Sequence, residues 1–216
     1  LADAPVVHLH GGPGGGAVER WATWLTDADA IGSDMVVYDQ RGGGHASPAL
    51  QCPEHRRAVL EALADDGDPG DERRLVADAL GRCHQRLSDD GVALDQYDLS
   101  ASVADLEDLR RALGAERLRL IAGSYGTRLA LEYAAAHPDR VAALALDSID
   151  PPGTGHPGAD AQQLDAAITR LLDACDADPA CASAHPDLRA SLDAALARAD
   201  ATPLTIPLAG TQPGAA

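Results

Sequence analysis

The most constraining feature of the sequence is a sharp turn of small residues, Ala-Gly-Ser-Tyr-Gly at positions 122–126, set between an apolar strand and a helix. Residues 118–122 predict a buried strand, and residues from about 127 to 137 predict a helix that stops before a proline. Ala122 and Gly126 are small enough to flank a tight turn that raises a serine above a parallel sheet. This arrangement predicts an α/β protein.

Three more strands fit the same architecture. They are predicted at residues 6–10, 35–39 and 141–147, and the first two lead into glycine-rich loops. Helical patterns at 18–27 and 103–113 separate them. Strands that alternate with helices predict a mostly parallel sheet flanked by helices. Because loops at the carboxyl ends of such strands form the binding crevice, we expect all three glycine-rich motifs to line one site.

Two parts of the chain are expected. Residues 1–153 read as the N-terminal part of the α/β core, within which 51–97 form a polar insertion with two short helical patterns. Ser100 or Ser102 is expected to cap the helix that follows the insertion. Residues 154–216 read as the start of a helical cap, with alanine-rich helices at 160–175 and 186–199.

Charge excludes some partners. The formal net charge is −17, and all the positive side chains are arginine. Such acidity argues against binding to nucleic acid or to an anionic membrane. Genome composition or adaptation to salt is the favoured explanation of the negative charge, and attraction of cationic substrates is the alternative explanation. Since no run of about 18 apolar residues occurs, no membrane span is expected.

The four cysteines allow two interpretations. Two local disulfides, Cys52–Cys83 and Cys175–Cys181, are the simplest pairing and would favour a secreted or cell-envelope protein. Four buried thiols are the alternative. No CxxC pattern occurs, so a zinc site is disfavoured, and no metal or organic cofactor is expected.

The turn itself predicts chemistry. Ser124 is the candidate nucleophile, because the turn would expose its hydroxyl at a helix N-terminus that favours negative charge. The backbone N–H groups of Tyr125 and of Gly12, in the loop HGGPGGG, are the candidate oxyanion donors. The alternative for Ser124 is an ordinary capping serine. A phosphate-binding loop is disfavoured, because no Lys-Ser or Lys-Thr pair follows the glycines.

Catalytic partners for the serine are poorly represented in the sequence. Asp147, at the end of the fourth strand, is the candidate acid. His10, His137, His156 and His185 are interpreted as structural or loop residues. Asp39 and Arg41 are also interpreted as structural, with Arg41 binding carbonyls and carboxylates at the mouth of the site.

A family resemblance is carried by three segments: VVHLHGGPGGG, VVYDQRGGGHASPALQC and YDLSASVADLEDLRRALGAERLRLIAGSYGTRLALEYAAAHPDRVAALALDSIDPPG. In these segments the sequence resembles the proline iminopeptidase and tripeptidyl aminopeptidase family of α/β-hydrolase serine peptidases. Ala46 departs from the family, which usually has a serine there. The resemblance implies an acyl-enzyme peptidase that releases short N-terminal pieces, with the free amine held by acidic residues that we do not place.

The resemblance also implies that the catalytic acid and histidine lie on late strands beyond the cap. We therefore expect the chain to be a truncated enzyme, cut at both ends and poorly active by itself. An esterase or lipase-like hydrolase acting on small acyl esters is one alternative. A non-catalytic relative that binds a ligand in the crevice is another. The oligomeric state stays open.

Overall fold

The computed structural model describes residues 4–64, 67–153 and 157–202. The chain divides into two compact units, Leu1–Thr154 and Gly155–Ala216. Parts of the predicted cap, including residues 154–156 with His156 and residues 203–216, lie outside the described residues.

The first unit is built on a parallel sheet, as predicted. Its strands are β1 Val6–Leu9, β2 Met35–Val37, β3 Leu118–Gly123 and β4 Val141–Asp147, in the spatial order β2-β1-β3-β4. His8 lies opposite Val37 on one side and Ile121 on the other. Since every pair is parallel, the loops that follow the strands emerge at one edge of the sheet.

Helices flank this sheet, and helices also form the described part of the second unit. In the first unit they are α1 Trp21–Ile31, α2 Pro53–Ala64, α3 Pro69–Asp89, α4 Leu99–Ala112 and α5 Tyr125–Ala136. In the second they are α6 Pro157–Ala177, α7 Pro179–Ala184 and α8 Leu188–Ala201. The described part of the second unit contains no strand.

The core of the first unit lies between the sheet and helices α4 and α5. Side chains of β3 alternate between buried and half-buried, which places Leu118 and Leu120 on the core face. Leu106 from α4 and Leu129 and Tyr133 from α5 pack there, each fully buried. Burial of a leucine of this kind contributes about 1.5–3 kcal/mol. The core therefore fixes α5, and with it the turn at its N-terminus.

Helix α4 begins differently from the prediction. Its N-cap is Asp98, whose carboxylate accepts a hydrogen bond from the Ala101 N–H at 2.7 Å, so the expectation that Ser100 or Ser102 caps the helix is wrong. The Ser102 hydroxyl instead donates to the Asp98 carbonyl at 2.9 Å. An ionised carboxylate is at least as good an N-cap as a serine hydroxyl, and its position sets the first turn.

The insertion is a helical hairpin of α2 and α3. Cys52 and Cys83 form a disulfide with their Cα atoms 5.4 Å apart, and the Arg86 guanidinium donates to the Glu54 carboxylate at 2.6 Å. Helix α3 has 21 residues, far longer than the short pattern predicted. Cys175 and Cys181 form the second disulfide, in the other unit. Both predicted pairings are therefore confirmed, and they are weakly consistent with an extracellular protein.

Strand β4 is unusually open. It is an edge strand and, among the residues the structure describes, its ladder partner is β3 alone. Residues 142–145, all apolar, are exposed.

Candidate active site

Ser124 occupies the sharp turn between β3 and α5. Its backbone has φ 51° and ψ −125°, a region that L-residues rarely adopt and that costs of order 1–3 kcal/mol. The residue is exposed, and its N–H donates to the Asp147 carbonyl at 2.9 Å. The sheet thus holds a strained serine with its side chain open to solvent.

The small neighbour that the turn requires is Gly126. A Cβ at this position would lie 2.1 Å from the Leu9 carbonyl oxygen, so only glycine fits. The end of β1 therefore passes directly against the first turn of α5. This close approach draws the loop after β1 toward the serine.

The glycine-rich loop after β1 contacts the serine turn. A Cβ on Gly11 would lie 3.0 Å from the Ser124 Cβ and 3.6 Å from its Oγ. Gly12 follows with φ 126° and is exposed, a conformation that favours glycine. The structure thus brings together the two loops that the sequence singled out.

Asp39 fixes the other end of this loop. Its carboxylate accepts hydrogen bonds from the backbone N–H groups of Ala17 at 2.6 Å, Val18 at 3.0 Å and His45 at 2.8 Å. Burial by itself would raise the pKa of Asp39, but these donors outweigh burial and lower the pKa. A Cβ on Gly44 would lie 2.3 Å from this carboxylate, so the second glycine-rich loop wraps closely around it.

Arg41 fixes the second loop to α4. Its guanidinium donates to both oxygens of Asp105, at 2.7 and 2.6 Å, and to the Ala101 carbonyl at 3.1 Å. It also donates to the Gln96 carbonyl. Arg41 thus makes the contacts with carbonyls and a carboxylate that the sequence predicted, and Asp39 and Arg41 together hold the two loops in place.

A cleft of about 690 Å³ opens beside the turn. Tyr125, which follows the serine, lines it together with Gly14, Gln40, Leu50, Gln51 and Asp98. Burial raises the pKa of the Tyr125 phenol; nearby Arg128 lowers it in part, whereas Asp150 and Asp98 add to the rise. The negative charge of Asp98 thus disfavours ionisation of the Tyr125 phenol.

Comparison with known proteins agrees with this geometry. A family profile described as the alpha/beta hydrolase fold matches residues 4–179. The chain belongs to the α/β hydrolase fold family. That family places a nucleophile at the same strand-to-helix turn that holds Ser124 here.

Similar members of this hydrolase family include peptidases. The chain is 30% identical over 156 residues to a tripeptidyl aminopeptidase from Streptomyces lividans, covering 67% of this chain and 28% of that protein. It is 32% identical over 145 residues to a proline iminopeptidase from Xylella fastidiosa, covering 67% and 32%. The solved epoxide hydrolase A of Mycobacterium thermoresistibile aligns with TM-score 0.44 and 22% identity over 74% of this chain and 37% of that one.

This α/β hydrolase chain spans about three tenths of the length of the curated relatives it matches. No helix in its described ranges is both long and apolar enough to cross a bilayer. Nor do three His, Cys, Asp or Glu residues of those ranges lie together as metal ligands would.

Among the described residues, Asp147 lies beside the Ser124 turn, and no histidine hydrogen-bonds to either side chain. Asp147 is exposed at the end of β4, where its carboxylate accepts a hydrogen bond from the Ser148 hydroxyl at 3.1 Å. His10 donates from Nδ1 to the Gly11 carbonyl at 3.0 Å, a structural contact. His137 lies at the far end of α5, against the Tyr133 ring. Within residues 4–64 and 67–153, no histidine is hydrogen-bonded to the Ser124 hydroxyl.

Thr127 is a residue of the site that the sequence did not reveal. Its hydroxyl donates to the Ser124 carbonyl at 2.6 Å and accepts from the Asp150 N–H at 2.8 Å, and the residue is fully buried. Arg128 adds an ion pair to the Asp150 carboxylate at 2.7 Å. The loop after β4 is thereby bound to the serine turn. A threonine in a helical pattern gives no signal of such a role.

His8 was also missed. It lies in β1, is 8% exposed, and stacks on Trp24 with the ring centroids 3.9 Å apart. Burial, with a contribution from His10, lowers the pKa of His8 to about 4, so its ring is neutral at pH 7. The Trp24 indole donates to the Ala17 carbonyl at 2.8 Å. This stacked pair supports the base of the glycine-rich loop.

Proposed function

We propose that the chain is the nucleophile-bearing part of a serine hydrolase that cleaves short peptides near their N-terminus. The observation that carries this proposal is the exposed, strained Ser124 with Gly11 packed against it. A strained backbone at an exposed hydroxyl is typical of a residue held for reaction. The similarity to a tripeptidyl aminopeptidase and a proline iminopeptidase favours peptides over simple esters as substrates.

In the proposed reaction, the Ser124 oxygen attacks the scissile carbonyl carbon and its proton passes to a general base. The carbonyl oxygen becomes an oxyanion that accepts hydrogen bonds from the N–H groups of Tyr125 and Gly12. Each such donor contributes about 3–4 kcal/mol to lowering the barrier. The amine leaves with the proton, an acyl-enzyme remains on Ser124, and water releases the peptide acid.

A base and its orienting acid complete this mechanism. Asp147 is the candidate acid in the described part, because its own carbonyl already accepts the Ser124 N–H and places it beside the turn. Export to an oxidising compartment fits the two disulfides, and peptide mapping of the native protein without reduction tests whether they form.

The test uses the full-length gene product with a tripeptide p-nitroanilide and p-nitrophenyl butyrate. We expect faster turnover of the peptide, and Ser124→Ala should lower its kcat/KM by about 10⁴-fold or more, as loss of a catalytic serine does. The 216-residue chain, assayed alone, should be far slower. Ser88→Ala, at an exposed position on α3, is the matched control and should retain activity.

Retained peptide hydrolysis in Ser124→Ala would refute the nucleophile. Faster turnover of the ester than of the peptide would favour an esterase. Ligand binding without any Ser124-dependent hydrolysis would favour a non-catalytic relative.

A further inference from the structure

The cleft beside Tyr125 has the size of a ligand site. Its volume of about 690 Å³ falls within the roughly 300–1,000 Å³ that small-molecule sites occupy. Four separate segments form its walls: the two glycine-rich loops, the start of the α2–α3 hairpin and the start of α4. Asp39 joins the second glycine-rich loop to the end of the first, and Arg41 joins the second loop to α4, so the cleft is built by fixed contacts.

The cleft begins next to the nucleophile. Tyr125 lines it and is the direct neighbour of Ser124, so their Cα atoms are about 3.8 Å apart. Gly14 also lines the cleft and lies in the same loop as Gly11, which packs against Ser124. A substrate whose carbonyl sits at Ser124 can therefore extend one of its two substituents past Tyr125 into this cleft.

The polar groups of the cleft include two hydrogen-bond acceptors, on Gln40 and Asp98, and the guanidinium of the exposed Arg56. The Gln40 amide uses its N–H to donate to the His10 carbonyl at 2.8 Å, which leaves its oxygen as an acceptor. Asp98 uses one carboxylate oxygen for the Ala101 N–H at 2.7 Å, which leaves the other. The Arg41 guanidinium is already paired with Asp105. The acceptors match the N–H groups of a peptide, and the Arg56 guanidinium matches its carbonyl oxygens, whereas a hydrocarbon chain offers neither.

We propose that this cleft binds the acyl part of the substrate, a short peptide chain whose N–H groups are held by Gln40 and Asp98. The inference rests on the proposed function. The acyl part is assigned because amide, carboxylate and guanidinium groups hold a peptide chain, whereas a departing amine needs a group that can give it a proton. The cleft thus sets how many residues precede the cleaved bond.

Gln51→Trp tests the assignment, because Gln51 is an exposed residue of the cleft wall and a tryptophan there fills the space. Two substrates with the same leaving group are compared on the full-length gene product: Ala-p-nitroanilide and Ala-Ala-Ala-p-nitroanilide. We expect kcat/KM to fall about tenfold or more for the tripeptide and to stay within about twofold for the single residue. Gln85→Trp, at an exposed position on α3, is the matched control and should change neither.

Asp98→Asn tests the contribution of the Asp98 negative charge to peptide binding. Asparagine is as good an N-cap as aspartate, so α4 should keep its first turn. We expect KM for the tripeptide to rise several-fold with kcat unchanged, because the interaction is made equally in ground and transition states. An equal fall for both substrates in Gln51→Trp, or no fall for either, would overturn the cleft assignment while leaving Ser124 as nucleophile.

A binding measurement keeps the test independent of turnover. Titration calorimetry of Ala-Ala-Ala into the Ser124→Ala protein should give saturable heat that Gln51→Trp weakens about tenfold and Gln85→Trp does not. Absence of binding at millimolar tripeptide overturns the inference. Loss of hydrolysis in Ser124→Ala is a separate result and decides the proposed function alone.

Discussion

At the residue scale, the Ser124 backbone carbonyl accepts two hydrogen bonds, both from Thr127. It accepts hydrogen bonds from the Thr127 N–H at 2.9 Å and from the Thr127 hydroxyl at 2.6 Å. The same hydroxyl accepts from Asp150, so one buried oxygen joins the serine turn to the loop after β4. Because the Ser124 dihedrals are strained, surrounding contacts have to hold them, and Thr127 supplies two.

Thr127→Val keeps the shape of the side chain and removes the hydroxyl. Since the Asp150 N–H then loses its acceptor, the free energy of unfolding should fall by about 1–3 kcal/mol. The serine should also be less well held, so kcat for peptide hydrolysis should fall about tenfold while KM changes little. Both are measured on the full-length gene product by denaturant unfolding and steady-state kinetics. Thr127→Ser retains the hydroxyl and should restore kcat, and equal kcat in the two variants would show that the hydroxyl has no positioning role.

At the scale of elements, α4 and α5 are joined by a buried ionic cluster. Glu107 is 6% exposed and accepts hydrogen bonds from Arg110 at 2.7 and 2.8 Å, and from the Tyr133 hydroxyl at 3.0 Å. Arg111 adds a bond at 3.0 Å. Arg110, the largest cause, outweighs burial, and with Tyr133 it lowers the pKa of Glu107 to about 2. The cluster fixes α5, whose first residue follows Ser124.

This cluster predicts a pH dependence of stability. The pKa of Glu107 is about 2 in the folded chain against an ordinary 4.5, so its stabilising contribution is present above pH 4.5 and is lost as the pH falls toward 2. Glu107→Gln should lose about 3 kcal/mol of unfolding free energy at pH 7, because Arg110 is left buried without its partner. The variant should then show a shallower loss between pH 4.5 and 2, measured by urea unfolding at each pH. Tyr133→Phe keeps the ion pair and serves as control, and identical pH slopes in Glu107→Gln and the unmutated chain would contradict the assignment.

The elements were easier to predict than their contacts. Apolar runs located all four strands to within two residues, because a buried parallel strand needs such a run. The cap at Asp98 was missed because several residues near it can cap equally well. Ser124 and the glycine-rich loops were predictable because a tight turn restricts residue size locally. The Thr127–Asp150 and Arg41–Asp105 contacts join residues distant in sequence, so only the folded sheet reveals them.

At the scale of the whole molecule, the net charge and the exposed edge of β4 have opposite effects on self-association of the chain. The net charge of −17 makes copies of the chain repel one another at neutral pH. In the part of the chain that the structure describes, β4 is an edge strand, and its exposed apolar residues, with Leu144 37% exposed, favour association of edges. Repulsion weakens with salt and as the pH approaches the isoelectric point of about 4.6.

The 216-residue chain should therefore self-associate as the pH is lowered from 7.5 to about 5, or as salt is raised. Leu144→Glu places a charge on the exposed strand and should suppress this association, since charged residues block pairing of edge strands. Sedimentation velocity over a concentration series measures the effect. Leu196→Glu makes the same change at an exposed residue of α8 and is the control. Equal suppression by both variants would assign the effect to charge in general and not to β4.

The open strand also has a practical consequence for anyone who handles this chain. In a preparation concentrated at mildly acidic pH, we expect the exposed β4 edges of different molecules to meet. The net negative charge that makes the molecules repel one another is smallest there. Dilute, neutral, low-salt buffer keeps the molecules apart, and it is under those conditions that ligand titrations and kinetics will report on single particles.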